Sequence, residues 1–210
     1  MDNLLRVENL TKYFDVKQGG FLQKPAKLKA VDDVSFTIKK GQTYGIVGES
    51  GCGKTTLGKC VVRLYKPDSG KIFLNVNGEE KDILSLSKEE SFAARKRVQM
   101  IFQDPYASLD SKVKVQDIIA EGMDIHHMTR DKDKRRHRVE KLLEQVGLDK
   151  SCLNSYVNTF SGGQRQRIGI ARALAVNPKF IVCDEPISAL DVSVQAQIVN
   201  LLKKLQKERN

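Results

Sequence analysis

The chain has 210 residues, 40% of them hydrophobic and 30% charged, the balance of a globular protein able to bury one substantial core. No apolar stretch nears the roughly 20 residues that span a bilayer, and the N-terminus carries no signal-peptide pattern, so a cytosolic protein or one peripheral to a membrane is expected. A net charge of +10 leaves nucleic acid, anionic lipid and plain solubility to be separated by where the charge lies.

Taken in chain order, strand-like runs at 4–7, 31–38, 43–47 and 71–76 make a first lobe, with a helix over 54–64 among them. Residues 67–70, Pro-Asp-Ser-Gly, read as a turn. A strand over 98–102 leads to Gln103, and Pro105 then opens a helical segment with helices at 115–122 and 132–146. A helix over 163–176 ends at Pro178, a short apolar strand follows at 180–183, and a helix over 192–207 comes last. Neither an internal repeat nor a low-complexity tract interrupts this order.

Residues 48–56 read GESGCGKTT and match G-x-x-x-x-G-K-[ST] directly after the strand-like 42–47, the context that the phosphate-loop motif requires. Glycines let such a loop curl so that successive N–H groups face phosphate oxygens, and the following helix adds its positive end. Lys54 would contact the β- and γ-phosphates, Thr55 would hold Mg²⁺ through its hydroxyl, and Thr56 would touch the α-phosphate. A glycine-rich turn without chemistry is the alternative, which the Lys-Thr pair disfavours.

The apolar strand over 180–183 ends in Asp184 and Glu185. Buried parallel strands carry ligand sites at their carboxyl ends, so Asp184 is the expected Mg²⁺ partner and Glu185 the group that polarises an attacking water. Taken alone, the pair would read as two solvated acids. Ser161, Gly162, Gly163 and Gln164 begin another helix, and glycines at a helix mouth expose N–H groups much as an anion site does. A second anion site on one chain makes sense if it serves the nucleotide of a neighbouring subunit.

These segments resemble the ATP-binding cassette (ABC) ATPases, and the resemblance covers essentially the whole chain. It implies an α/β fold: a P-loop NTPase (RecA-like) core with an N-terminal antiparallel β subdomain and an inserted α-helical subdomain. The core would comprise 1–103 and 157–210, and the helical subdomain 104–156. It implies a head-to-tail dimer in which ATP and Mg²⁺ lie between Gly48, Glu49, Ser50, Gly51, Cys52, Gly53, Lys54, Thr55 and Thr56 of one subunit and Ser161–Gln164 of the other. Tyr13 stands where the family stacks an aromatic ring on adenine, although packing of the first sheet uses the same ring face. Gln103 matches the glutamine that reaches Mg²⁺ and the attacking water, and Ser188–Asp191 the loop that crosses the dimer interface. That tetrapeptide also suits a helix N-cap before Val192, and both readings hold together.

Within the family the chain is most similar to the ATPase subunits of oligopeptide and dipeptide importers, on the stretches GESGCGKTTLGKCVVRLYKPDSG, MIFQDPYASLD and DEPISALDVSVQAQIVNLLKKLQ and on an insertion at 17–29. The implied protein hydrolyses ATP to drive peptide import at the cytoplasmic face of the membrane. Its implied partners are a second, identical or homologous ATPase subunit, two transmembrane permease subunits and an extracytoplasmic solute-binding protein; nucleic acid is not expected. The alternative of another class is a soluble ABC ATPase acting on nucleic acid or ribosomes. Soluble members carry two cassettes or a long coiled-coil insertion, and the sequence has neither. Family members continue past the last helix into a strand that closes in a histidine contacting the γ-phosphate, whereas no histidine follows Asp191 here. A C-terminally truncated chain is therefore expected, weakly active or inactive by itself and less stable.

Among the remaining candidates, Cys52, Cys60, Cys152 and Cys183 show no C-x-x-C spacing, so reduced thiols rather than zinc or disulfides are expected. Cys52 lies where oxidation would block nucleotide, though a small filler residue is the blander account. His126, His127 and His137 lack partners at metal spacing and read as surface or cap histidines. The basic run at 130–138 interleaves acids and passes into apolar positions Val139, Leu142, Leu143 and Val146, an amphipathic helix with a basic face. It contains no aromatic residue of the kind that stacks on bases. Anionic lipid or plain solvation fits it better.

Overall fold

A computed structural model describes residues 3–16, 26–76 and 78–209. It divides into two compact units, Met1–Ser91 and Phe92–Asn210. Most of the sequence insertion at 17–29 lies outside the described residues.

In the first unit, β1 (Asn3–Val16) and β2 (Ala26–Lys39) pair antiparallel, and β3 (Ser69–Val76) and β4 (Glu79–Asp82) complete a sheet in the order β2-β1-β3-β4. This is the antiparallel β subdomain. The register of β1 against β2 shifts between Val7 and Leu10, where Asn9 and Asp33 both adopt positive φ and the Asn9 amide donates to Asp33 at 2.7 Å. Asn and Asp tolerate that conformation, so the bulge bends a strand that runs well beyond 4–7. Leu5, Val7, Leu10, Ile72 and Leu74 are at most 1% exposed and form the apolar side of the sheet. Helix α1 (Lys54–Val61) buries Leu57, Cys60 and Val61. Burial pushes the Cys60 thiol up to about 11, which makes it an inert packing group rather than a nucleophile.

The expected strand at 43–47 is not formed: the stretch is irregular, neither sheet includes it, and Val47 is 96% exposed. A strand exists through the ladder of its neighbours, so apolar content alone does not create one. Helix α2 (Lys88–Arg95) begins with a reciprocal cap, Glu90 N–H to Ser87 Oγ and Ser87 N–H to Glu90 Oε2, both at 3.2 Å.

The second unit has a parallel pair, β5 (Val98–Ile101) and β6 (Phe180–Cys183), in register Val98 to Phe180. Around it lie α3 (Pro105–Ser108), α4 (Val115–Ile125), α5 (Lys132–Gln145), α6 (Gly162–Ala175) and α7 (Val192–Arg209). One apolar cluster joins Ile119 and Met123 of α4, Val139 and Leu143 of α5, Ile168 and Leu174 of α6 and Ile198 of α7. Arginines stitch the ends of these helices, where carbonyls lack intrahelical partners. Arg138 donates to Ala175 O (3.1 and 2.8 Å), Arg167 to Val146 O (2.6 Å) and Arg172 to Ser108 O (2.7 Å). Among the described residues no helix is long and apolar enough to cross a membrane.

Candidate functional site

The site residues fall into two sets, one in each unit. In the first unit, Gly53 starts α1 with φ of 99° and no side-chain cap on the helix. Only glycine fits there, because a Cβ would lie 1.9 Å from the carbonyl oxygen of Ala30 and an L side chain disfavours that φ. Lys54 turns back into the loop and donates to Gly48 O at 2.9 Å and Glu49 O at 2.7 Å. The loop residues Gly48–Cys52 are exposed, whereas Thr55 and Thr56 are partly buried on α1. An uncapped helix start, a glycine loop and a cation held over the loop are the parts that a phosphate chain needs.

Tyr13 stands on β1 and donates its hydroxyl to Asp32 of β2, while Lys29 Nζ lies 5.5 Å from its ring centre. Its N–H donates to Asp68 at 2.6 Å. The hydrogen bond from Tyr13, followed by that from Lys29, holds the Asp32 carboxyl below the usual carboxylate range. Tyr13 is therefore anchored to the first sheet, with Asp32 and Lys29 as partners that no sequence motif singled out.

In the second unit, Gln103 follows β5 and its amide donates to Glu185 Oε2 at 3.0 Å and to Ser188 Oγ at 3.2 Å. Asp184 is tied by its N–H to Ile101 O at 2.9 Å. Glu185 has φ of 41°, a conformation costing about 1–3 kcal/mol for a non-glycine residue and typical of functional positions. Ser188 donates both its N–H and its hydroxyl to Glu185 O, which fixes the turn after β6. The three expected catalytic and bridging side chains Gln103, Glu185 and Ser188 thus form one hydrogen-bonded group.

Ser161 and Gln164 form a reciprocal cap on α6: Ser161 Oγ accepts from Gln164 N–H at 3.4 Å and Gln164 Oε1 accepts from Ser161 N–H at 3.0 Å. The S-x-x-Q spacing was the available signal for this arrangement. A Cβ at Gly162 would make ordinary contact with Leu190, at 3.4 Å, but at Gly163 it would lie 2.5 Å from Val194 of α7. Overpacking of this kind costs typically ~1–3 kcal/mol. Gly163→Ala is therefore expected to lower stability by about that amount and Gly162→Ala by much less; thermal denaturation of the pair checks the difference.

Among the described residues no three His, Cys, Asp or Glu side chains cluster as a metal site. Mg²⁺ bound with nucleotide usually takes one or two carboxylates together with phosphate oxygens and waters, and the Thr55 hydroxyl, Gln103 amide and Asp184 carboxylate have the right chemistry. His126 caps the end of α4 and packs on Phe92 with ring centres 4.3 Å apart; burial holds its pKa below the ordinary value.

Residues 31–188 match the family described as ABC transporter. The oligopeptide transport ATP-binding protein OppF of Bacillus subtilis (strain 168) is 52% identical over 99% of this chain and 65% of its own length. The dipeptide transport ATP-binding protein DppF of Lactococcus lactis subsp. cremoris is 52% identical over 87% of this chain and 58% of its own length. The chain thus spans less than two thirds of the length of these relatives. A dimeric ATP-binding cassette solved in a post-hydrolysis state with ADP and Pi superposes with a TM-score of 0.80 at 29% identity, over 98% of this chain and 84% of that one. The fold is that of the P-loop ABC ATPases. With residues 31–188 matched, three quarters of its length, the chain belongs to the ABC transporter family.

Proposed function

We propose that the protein is the ATP-hydrolysing subunit that energises import of oligopeptides or dipeptides. It would work at the cytoplasmic face of the membrane beside a second ATPase subunit, two membrane-spanning permease subunits and an extracytoplasmic solute-binding protein. The observation that carries the catalytic reading is the Gln103–Glu185–Ser188 group, in which a carboxylate at a strained turn is oriented by an amide. A general base needs such orientation to take a proton from water. Lys54 and the loop N–H groups would bind the phosphates, Thr55 and Asp184 would hold Mg²⁺, and Tyr13 would meet adenine. Bound Mg²⁺ supplies charge neutralisation at the phosphates. Ser161–Gly163 would close on the nucleotide of the second subunit, and the helical segment 104–156 would dock on a permease.

The peptide substrate rests on the likeness to OppF and DppF. The distribution of basic charge supports this reading over nucleic-acid binding. Within the run 130–138, Arg135 pairs with Asp117 at 3.0 Å and with Asp124 at 2.7 Å, Arg136 with Glu140 at 2.9 Å, and Arg138 is spent on Ala175 O. Arginines so engaged are poor partners for a phosphate backbone. Purification of the intact tagged subunit from membranes tests the assignment. Recovery with two integral membrane proteins is expected, and recovery with ribosomes or RNA would overturn it.

A further inference from the structure

The Ser161–Gly163 turn is held by side chains that the motifs do not include. Arg165, within the first turn of α6, lays its guanidinium 4.1 Å from the ring centre of Tyr106. The same guanidinium donates to Phe160 O through Nε and to Asn158 O through Nη2, each at 2.9 Å. Phe160 O belongs to the peptide whose N–H is that of Ser161, and that N–H donates to Gln164 Oε1 at 3.0 Å. A planar peptide gripped at both its oxygen and its hydrogen cannot rotate. Its plane sets the direction in which the following turn begins.

Tyr106 connects this grip to Gln103. It stands on α3, whose N-terminus is fixed by Asp104 accepting from the N–H groups of Tyr106 and Ala107. Its ring edge also closes on Gly162: a Cβ there would meet Tyr106 Oη at 3.7 Å and Leu190 Cδ2 at 3.4 Å. Leu190 is fixed in turn by Gln195, which donates to Ile187 O at 3.1 Å and Leu190 O at 3.0 Å. Tyr106 is 58% exposed, so it contributes little to the apolar core; what it offers Arg165 is a π-face, and Arg uses such a face while its fork serves two carbonyls.

We propose that Tyr106 and Arg165 are positioning residues for ATP hydrolysis, a brace that holds Ser161–Gly163 in fixed relation to the segment bearing Gln103. The proposal rests on the reading that Ser161–Gly163 grips phosphate. Loss of the brace leaves the phosphate loop intact, so it lowers turnover without lowering a subunit's own affinity for ATP.

The test compares Tyr106→Phe, Tyr106→Leu and Arg165→Lys in the intact subunit assembled with its co-purifying membrane partners, measuring ATP Kd, kcat and KM. Tyr106→Phe keeps the ring and should stay within twofold of the parent. Tyr106→Leu and Arg165→Lys should lose at least tenfold in kcat with Kd unchanged within twofold. Hydrogen exchange should quicken at residues 158–164 of Tyr106→Leu while α4 and α5 keep their protection. Retention of kcat within twofold by both disruptive variants would overturn the brace, as would a loss of protection throughout the unit, which would make the pair merely structural. Normal ATP binding by Lys54→Ala would instead sink the nucleotide-site reading, whatever Tyr106 does.

Discussion

Glu185→Gln in the intact subunit is expected to cut ATP hydrolysis by about 10²- to 10⁴-fold, the usual contribution of a positioned general base, while ATP binding persists. The substitution keeps size, lets Gln103 retain a hydrogen-bonding neighbour and leaves the bonds from Ser188 to the backbone Glu185 O in place, so the turn at φ of 41° survives and the loss is confined to proton removal. With binding intact and turnover blocked, the variant should accumulate as an ATP-bound closed dimer. Single-turnover phosphate release checks the rate, and size-exclusion chromatography with ATP checks the trapped dimer. Turnover within a few-fold of the parent would remove Glu185 from the base role.

Lys54→Ala acts at the other end of the reaction. The ammonium sits over the loop on Gly48 O and Glu49 O, and a charge-assisted contact from it to phosphate contributes roughly 1.5–3 kcal/mol, so ATP should bind about 10- to 150-fold more weakly. The fold should hold, because Lys54 lies outside the buried set Leu57, Cys60 and Val61 of α1. Calorimetric titration with Mg-ATP measures the change, and an unaltered affinity would contradict the phosphate-loop assignment.

Particular residues mark how far the sequence could be read. Helices α4, α5 and α6 were legible because Ile119 and Met123, Val139 and Leu143, and Ile170 and Leu174 each lie four residues apart, on one helix face, and all reach the core. Residues 43–47 misled because their apolar pattern does not reveal whether a neighbouring strand is there to pair with. β1 runs past Val7 because a bulge at Asn9 lets the polar Thr11, Lys12 and Tyr13 continue the ladder, a long-range event with no local signal. β4, Glu-Glu-Lys-Asp, is an edge strand with no apolar alternation. Helix α2 was missed although Ser87-x-x-Glu90 announces its start.

At the site, the residue types of the phosphate loop and the Asp184-Glu185 strand end could be read as chemistry. Their partners could not. Gln103 and Glu185 are distant in the chain and meet only because β5 and β6 are adjacent and parallel, and the roles of Gln103 and Tyr13 came from family likeness rather than from spacing. The Tyr106–Arg165 contact and the Val194 wall behind Gly163 are tertiary facts with no sequence signature.

The central claim, that this subunit converts ATP hydrolysis into peptide import, is tested most directly by the ATPase rate of the assembled complex in proteoliposomes, with its solute-binding protein loaded or unloaded. Short peptides should raise the rate several-fold above the unloaded value, and Glu185→Gln should abolish both basal and stimulated turnover. Stimulation by a metal ion or a sugar with no response to peptides, or a stimulated rate that survives Glu185→Gln, would contradict the account.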